Sequence, residues 1–218
     1  MDQYQYLLFD LDGTLTDPAL GITNSVMYAL KKFGITPPER EALYSFIGPP
    51  LIDSFMEYYA LSAEDAKTAV AYYREYFRET GLLENVKYDG VDEMLSRLKA
   101  AGKTLLVATS KPEVFARRIL DHFGLTQYFD FIAGALMDET RTRKHEVIAF
   151  ALDSFPIPDK SRAIMIGDRK HDILGAKHEG IASLGVLYGF GSRSEHEEHC
   201  ADYIAADVNE LGSILLGK

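Results

Sequence analysis

This sequence of 218 residues lacks tryptophan and has a single cysteine, Cys200. A single cysteine excludes an intrachain disulfide framework and a zinc site built on several thiolates. Basic residues are outnumbered by acidic ones: the 23 Lys and Arg and the 33 Asp and Glu give a net charge of −10. An acidic surface repels phosphate backbones and anionic lipids, so we expect neither a nucleic-acid nor a membrane partner.

Long apolar runs are missing as well. No segment approaches the roughly 18 apolar residues that a transmembrane helix needs. Residues 1–6 lack the basic start and the apolar stretch of a secretory signal. With 47% apolar and 26% charged residues, the composition is that of an ordinary globular protein. These features predict a reduced, cytoplasmic, acidic enzyme or binding protein. The sequence does not indicate its oligomeric state, so a monomer is the default expectation and a weak homodimer the alternative.

Short apolar runs recur along the chain and alternate with amphipathic stretches. The runs are Leu7–Phe9, Thr104–Ala108, Phe131–Ala133, Ala163–Ile166 and Ser183–Leu187. Runs that are apolar on both faces are typical of parallel strands covered by helices on two sides. The helical stretches lie near 91–101, 113–123, 144–153 and 171–179. We therefore predict an α/β fold with a doubly wound parallel sheet.

Residues 19–86 interrupt this alternation, because they show helical spacing and no convincing strand. Candidate helices cover 20–33, 39–46, 51–60 and 63–79. A connection between a strand and the next helix normally needs only a few residues. The surplus predicts a small all-helical domain over 18–87, inserted after the first strand of a core made of 1–17 and 88–218.

Four carboxylates follow two of the predicted strands. Asp10 and Asp12 come directly after the first run, and side chains at positions i and i+2 of an extended segment point to the same side. Asp168 and Asp172 follow the fourth run. Open α/β sheets bind ligands at the carboxyl ends of their strands. Gly13 permits a sharp turn that brings backbone N–H groups close to an anion.

These carboxylates predict a cation. Like charges about 4 Å apart repel by several kcal/mol at an effective dielectric constant of about 20. A hard cation with oxygen ligands removes that repulsion, and Mg²⁺ is the usual choice. Asp172 has an alternative role as the N-cap that opens the following helix, and the two roles are compatible.

Ser110 and Lys144 occupy two further positions of interest. Ser110 follows the second run, where its hydroxyl could donate to a phosphoryl oxygen or cap the helix that begins near Pro112. Lys144 begins a predicted helix, where it could neutralise a developing negative charge or lie in solvent.

The order of these residues resembles the four motifs of the haloacid dehalogenase-like superfamily of phosphohydrolases. The motif positions are Asp10–Asp12, Ser110, Lys144 and Asp168–Asp172. The inserted helices resemble the small cap of that superfamily. Phe46–Leu51 and Tyr188–Ser192 resemble loops of its phosphoglycolate phosphatase-like and 5′-nucleotidase-like branch. One departure is His145 after the motif lysine, where many relatives have proline, and Arg141 and Arg143 are alternative cations nearby.

The resemblance implies a Mg²⁺-dependent phosphatase that acts on a small phosphorylated metabolite, a phosphomonoester such as phosphoglycolate or a 5′-nucleotide. Asp10 would be the nucleophile that forms an aspartyl-phosphate, and Asp12 the general acid and then the base. The implied metal ligands are Asp10 and Asp168, the backbone carbonyl of Asp12, and Asp172 through water. The implied substrate-binding residues are Gly13, Thr14, Ser110 and Lys144, with Gly48 and Pro49 from the cap.

Several alternatives share these groups. A pyrophosphatase or a sugar phosphomutase would use the same residues, and a non-catalytic protein could bind phosphorylated ligands with them. The second aspartate, Asp12, disfavours dehalogenation, which needs no acid for an alkoxide leaving group. The segment His196–Cys200 does not have the spacing of a zinc protease, so we interpret it as a solvated helix with a capping box from Ser194 to Glu197.

Overall fold

The computed structural model describes residues 3–138 and 140–217. They form eight strands and nine α-helices. The strands are β1 (Tyr6–Phe9), β2 (Thr16–Asp17), β3 (Val86–Lys87), β4 (Thr104–Pro112), β5 (Phe131–Ala135), β6 (Ala163–Gly167), β7 (Ala182–Val186) and β8 (Tyr203–Ala205). The helices are α1 (Ala19–Lys32), α2 (Leu51–Tyr59), α3 (Ala63–Tyr76), α4 (Val91–Ala100), α5 (Glu113–His122), α6 (Lys144–Ser154), α7 (Lys170–Glu179), α8 (Arg193–Glu198) and α9 (Val208–Leu215).

The chain divides into two compact units. The first comprises Met1–Asp17 and Lys87–Lys218, and the second is Pro18–Val86. Among the helices described, none combines the length and the apolar character that crossing a membrane would require.

A six-stranded sheet in the order β5-β4-β1-β6-β7-β8 organises the first unit. Its neighbouring strands are parallel, and Leu8 of β1 is aligned with Leu106 of β4 and Met165 of β6. The predicted α/β fold with a parallel sheet is therefore confirmed. In this order β1 is central, with its carboxyl end between those of β4 and β6.

Burial explains why β1 is apolar on both faces. Leu7, Leu8 and Phe9 have no exposed surface. One face of the sheet packs against α6 and α7 in a core that includes Leu8, Val147 and Ala176. Burial of a leucine-sized side chain contributes about 1.5–3 kcal/mol, so apolar packing holds this central strand, which positions the residues that follow it.

The second unit is helical. A 3₁₀ helix at Arg40–Phe46 precedes α2, and a π-helical turn at Phe77–Gly81 extends α3. Ser62 caps α3 by accepting a hydrogen bond from the backbone N–H of Asp65 at 3.1 Å. The ring of Phe46 packs 5.0 Å from that of Phe55, so aromatic contacts form part of this unit's core.

The structure corrects several local expectations. Strand β4 continues to Pro112, so Ser110 lies within the strand and does not cap α5. Helix α8 is capped by Ser192, which accepts from Glu195, instead of by Ser194 with Glu197. Most residues of this helix are exposed, as predicted for a solvated helix, but its His196 has no exposed surface.

Candidate active site

Adjacent parallel strands bring Asp10 and Asp168 to the same edge of the sheet. Asp10 follows β1 and Asp168 follows β6, and the N–H of Asp10 donates to the carbonyl of Ile166 at 2.9 Å. Asp172, in the first turn of α7, reaches the same place. One carboxylate oxygen from each of these three buried residues lies within 4.8 Å of the others.

Two glycines make room for this cluster. A Cβ at Gly13, whose φ is +79°, would lie 2.1 Å from Oδ2 of Asp168. A Cβ at Gly167 would lie 2.0 Å from Cγ of Asp172. Any side chain would displace a carboxylate, so close approach is a reason for glycine at both positions.

Lys144 is buried between two of the carboxylates. Its Nζ lies 2.9 Å from Oδ1 of Asp10 and 2.8 Å from Oδ1 of Asp172, and it donates to the carbonyl of Ala108 at 3.1 Å. Burial alone would lower the pKa of this lysine, but the carboxylates of Asp10 and Asp172 outweigh it and raise the pKa. Lys144 is therefore charged at neutral pH and is not a solvent-exposed lysine.

The alternative cations near Lys144 do not take its place. Arg141 donates from Nε to the carbonyl of Gly134 at 2.9 Å, and its guanidinium carbon lies 3.6 Å from the centre of the Phe150 ring. A guanidinium nitrogen of Arg141 also lies 3.6 Å from Glu113. Arg143 is exposed at the N-cap of α6. The ammonium group at Asp10 is that of Lys144.

Asp12 has a separate partner that the sequence analysis missed. The Nζ of Lys111 lies 2.6 Å from Oδ2 of Asp12, and both side chains are buried. Burial raises the pKa of Asp12, Lys111 opposes that shift, and the charge of Asp10 adds to it. Lys111 could have been found by extending the predicted strand to Pro112. In such a strand Lys111 lies two positions after Thr109, which is buried, so the two side chains point to the same side.

The other sequence-predicted residues lie in different surroundings. Ser110 is half-buried near the end of β4. Thr14 is buried, and its carbonyl accepts a hydrogen bond from the hydroxyl of Tyr188 at 3.0 Å. Gly48 and Pro49 belong to the second unit, between the 3₁₀ helix and α2.

Asp172 is the third residue of α7 and not its N-cap. Arg169 is the N-cap, and its backbone N–H donates to Oδ2 of Asp172 at 3.1 Å. The other oxygen, Oδ1, is paired with Lys144. The predicted N-cap role was therefore wrong, but Asp172 stabilises the start of α7 through one oxygen while the other contacts Lys144.

The loop after β7 and helix α8 support Asp168. The N–H of Phe190 donates to Oδ2 of Asp168 at 2.7 Å. A Cβ at Gly191 would lie 1.8 Å from the carbonyl oxygen of Asp168, so this contact requires glycine. Glu195 accepts from the backbone N–H of Lys170 at 2.6 Å and from Nε of Arg169 at 3.2 Å, which fixes the start of α7.

Two carboxyl groups of the cluster, those of Asp168 and Asp172, have a higher pKa than free aspartate. Burial, with the charges of Asp172 and Asp10, raises the pKa of Asp168 well above its usual range. Burial also raises the pKa of Asp172 to about 6, with Lys144 opposing and Asp10 adding. Burial and the nearby cations Arg169 and Lys170 lower the pKa of His171 to about 4. When deprotonated, the three carboxylates of the cluster carry more negative charge than Lys144, which is paired with two of them, neutralises.

A divalent cation fits this cluster. Oδ1 of Asp168 is buried and has no hydrogen-bond partner among residues 3–138 and 140–217. An unpaired buried carboxylate oxygen is costly, and hard cations such as Mg²⁺ prefer oxygen ligands. The residues that could hold the ion are Asp10, Asp168 and Asp172.

Comparison with known proteins gives the family. The model of the haloacid dehalogenase-like hydrolase family matches residues 7–186. The chain belongs to this family. As a haloacid dehalogenase-like hydrolase it is 49% identical, over 213 residues, to a protein of Pseudomonas aeruginosa named 5′-nucleotidase, with 98% of this chain and 96% of the relative covered.

Other relatives of this hydrolase have different names. A Mycobacterium tuberculosis protein named tyrosine-protein kinase PtkA is 40% identical over 215 residues, which cover 97% of this chain and 72% of the relative. The crystal structure of a predicted phosphatase from Clostridium acetobutylicum superposes with a TM-score of 0.96 and is 49% identical, with 99% of each chain covered. The family resemblance is confirmed, and this haloacid dehalogenase-like hydrolase is a phosphatase of the phosphomonoester hydrolase class.

Proposed function

We propose that this phosphatase is Mg²⁺-dependent and hydrolyses a small phosphomonoester through an aspartyl-phosphate on Asp10. The observation that supports this proposal best is the position of Asp10. It lies at the end of the central strand, is paired with the buried ammonium of Lys144, and shares a cluster with two further carboxylates. That combination provides a carboxylate nucleophile beside the positive charge that a phosphate group needs.

Asp10, Asp168 and Asp172 would hold the Mg²⁺ ion. When bound, the ion would neutralise the phosphoryl oxygens and reduce their repulsion from the nucleophile. The backbone carbonyl of Asp12 remains part of the proposed ligand set.

Asp10 and Lys144 would act together in the first step. Oδ1 of Asp10 accepts from the N–H of Leu11 at 2.7 Å and is paired with Lys144, so the carboxylate is oriented by two fixed donors. Asp10 would attack phosphorus while the bond to the leaving oxygen breaks. Lys144 would stabilise the negative charge on the transferring group.

Asp12 would transfer the proton. A raised pKa keeps a carboxyl group protonated closer to neutral pH, as a general acid requires. Asp12 would donate its proton to the leaving oxygen and then accept one from the water that cleaves the aspartyl-phosphate. Gly13, Thr14 and Ser110 would bind phosphoryl oxygens near this position.

We propose a 5′-nucleotide-like substrate. The support is the name of the Pseudomonas aeruginosa relative, which is 49% identical along nearly the whole of both chains. In this proposal residues 18–87 form the cap of a core made of 1–17 and 88–218, and Gly48 and Pro49 contribute to the choice of substrate. A phosphoglycolate-like substrate is the alternative within the same chemistry.

Phosphate release from a panel of compounds tests the proposal. The panel comprises 5′-nucleotides, phosphoglycolate, pyrophosphate and sugar phosphates, each with Mg²⁺ and with EDTA. We expect Mg²⁺-dependent release that is fastest with a 5′-nucleotide. Preference for pyrophosphate or an isomerised sugar phosphate would favour a pyrophosphatase or a mutase instead. Binding without turnover of any compound would contradict the proposal, and so would transfer of phosphate from ATP to a tyrosine peptide without hydrolysis.

A further inference from the structure

The two carboxylate oxygens of Asp12 have different surroundings. Oδ2 accepts a hydrogen bond from Nζ of Lys111 at 2.6 Å, and the exposed fractions of the two side chains are 11% and 5%. Oδ1 is buried and has no hydrogen-bond partner in the described part of the chain. An unpaired oxygen on a buried carboxylate costs free energy, and in native proteins such an atom often has a catalytic role.

The backbone around Lys111 is fixed by a local irregularity of the sheet. The pairing of β4 with β5 shifts register between Thr109 and Pro112. The N–H of Lys111 donates to the hydroxyl of Thr109 at 3.2 Å. A Cβ on Gly134 of β5 would lie 2.8 Å from the carbonyl oxygen of Lys111, so the two strands approach closely there. Such irregularities reorient side chains next to active sites.

We propose that Lys111 is a positioning residue, which holds Oδ2 of Asp12 so that Oδ1 is the atom that transfers the proton. This inference rests on the proposed function, in which Asp12 is the acid and the base. In the first step the proton moves from Oδ1 to the leaving oxygen as its bond to phosphorus breaks. In the second step Oδ1 takes a proton from water as oxygen bonds to phosphorus and the bond to Asp10 breaks. Lys111 neither gives nor takes a proton.

This role predicts a dependence on the leaving group. A leaving alkoxide, as from a 5′-nucleotide, needs a proton, whereas p-nitrophenolate leaves readily without one. A misplaced acid therefore slows hydrolysis of the nucleotide more than that of p-nitrophenyl phosphate. A lysine that only attracts phosphate would affect both substrates equally, because both present the same phosphoryl group.

The test uses Lys111→Met and Lys111→Arg, with Lys103→Met as the control. Lys103 is also a buried lysine, but its Nζ donates to the backbone carbonyl of Tyr4, at 2.7 Å. kcat/KM is measured for a 5′-nucleotide and for p-nitrophenyl phosphate, with Mg²⁺ present. We expect Lys111→Met to lower kcat/KM by about 10²-fold on the nucleotide and by less than about 10-fold on the aryl ester. Lys111→Arg should restore part of the loss.

Each other result contradicts the inference in a recognisable way. Equal losses on both substrates would make Lys111 a phosphate-binding residue. The role of Lys111 would be structural if circular dichroism showed Lys111→Met to be unfolded while Lys111→Arg kept the wild-type ratio of kcat/KM for the nucleotide to kcat/KM for the aryl ester. The Asp12→Asn variant should show the same selectivity for the aryl ester, and adding Lys111→Met should then change the ratio little. If the wild-type protein hydrolyses neither substrate, the proposed function itself has failed.

Discussion

Lys144 is the residue whose surroundings differ most from those of an ordinary lysine at the start of a helix. Its position in the sequence could indicate a cation near the carboxylates, and the order of the four motifs supported that. Burial could not be predicted, because it depends on how α6 packs against α7 and beneath β4. The same packing places its Nζ within 3 Å of two carboxylates.

Replacement of Lys144 by Met should destabilise the protein as well as inactivate it. Asp10 and Asp172 would lose their shared cation, and breaking a buried ion pair from one side costs about 3–5 kcal/mol. Urea denaturation without Mg²⁺ measures the free energy of unfolding. The control is Lys160→Met, because Lys160 lies 3.9 Å from Asp153 on the surface, where such pairs contribute little. Equal stability of the Lys144 variant and the wild type would contradict the assigned pairing.

The segment from the end of β7 through α8 shows how one element supports a site built by others. From the sequence, Tyr188–Ser192 was predictable as a loop, but its contact with Asp168 was not, since that residue follows a different strand. The segment that contains His196 was interpreted as a solvated helix, yet the side chain of His196 is buried. It is buried because Gly185 leaves room for its ring: a Cβ there would lie 2.6 Å from Cγ of His196.

At this element, Gly191→Ala should weaken both the fold and the cation site. The new methyl group would lie 1.8 Å from the carbonyl oxygen of Asp168, so the loop must move and Phe190 must release its hydrogen bond to Oδ2. We expect a lower melting temperature and a smaller increase of it on adding Mg²⁺. Gly212→Ala is the control, because its new Cβ would contact only the flexible side chain of Met94, at 3.2 Å. Similar behaviour of the two variants would contradict the supporting role of the loop.

For the whole molecule, the alternation of apolar runs and helices was enough to predict the parallel sheet. The carboxyl ends of parallel strands share an edge, so the meeting of Asp10 with Asp168 was predictable too. Strand β8 was missed because it has only three residues at the edge of the sheet, which gives little pattern. The pairing of Lys111 with Asp12 was missed because it depends on the register shift of β4.

Stability should depend on pH and Mg²⁺ together. Burial raises the pKa of Asp168, and that of Asp172 to about 6. Because these folded-state values are raised, the two groups stabilise the metal-free fold below the unfolded pKa of about 3.9, and this contribution is lost as pH rises through the folded values. Mg²⁺ binds the deprotonated carboxylates, so it should raise the melting temperature more at about pH 8 than at about pH 5.

Thermal unfolding with and without Mg²⁺ at both pH values measures this difference. Because the melting temperatures with and without Mg²⁺ are compared at the same pH, titrating groups that the cation does not contact contribute equally to both and cancel. Asp168→Asn should abolish most of the Mg²⁺ effect. An equal effect of Mg²⁺ at the two pH values, or one unchanged in Asp168→Asn, would show that the cation binds elsewhere.

The most direct test of the account is the rate of phosphate release from a 5′-nucleotide by the wild type and by Asp10→Asn, each with Mg²⁺ and with EDTA. The substitution keeps the shape of the side chain and removes the nucleophilic charge at the end of β1. We predict that the wild type releases phosphate with Mg²⁺ but not with EDTA. With Mg²⁺, Asp10→Asn should release phosphate more slowly by orders of magnitude, while its circular dichroism spectrum is that of the wild type. A folded Asp10→Asn protein that releases phosphate at the wild-type rate would contradict the central role of Asp10.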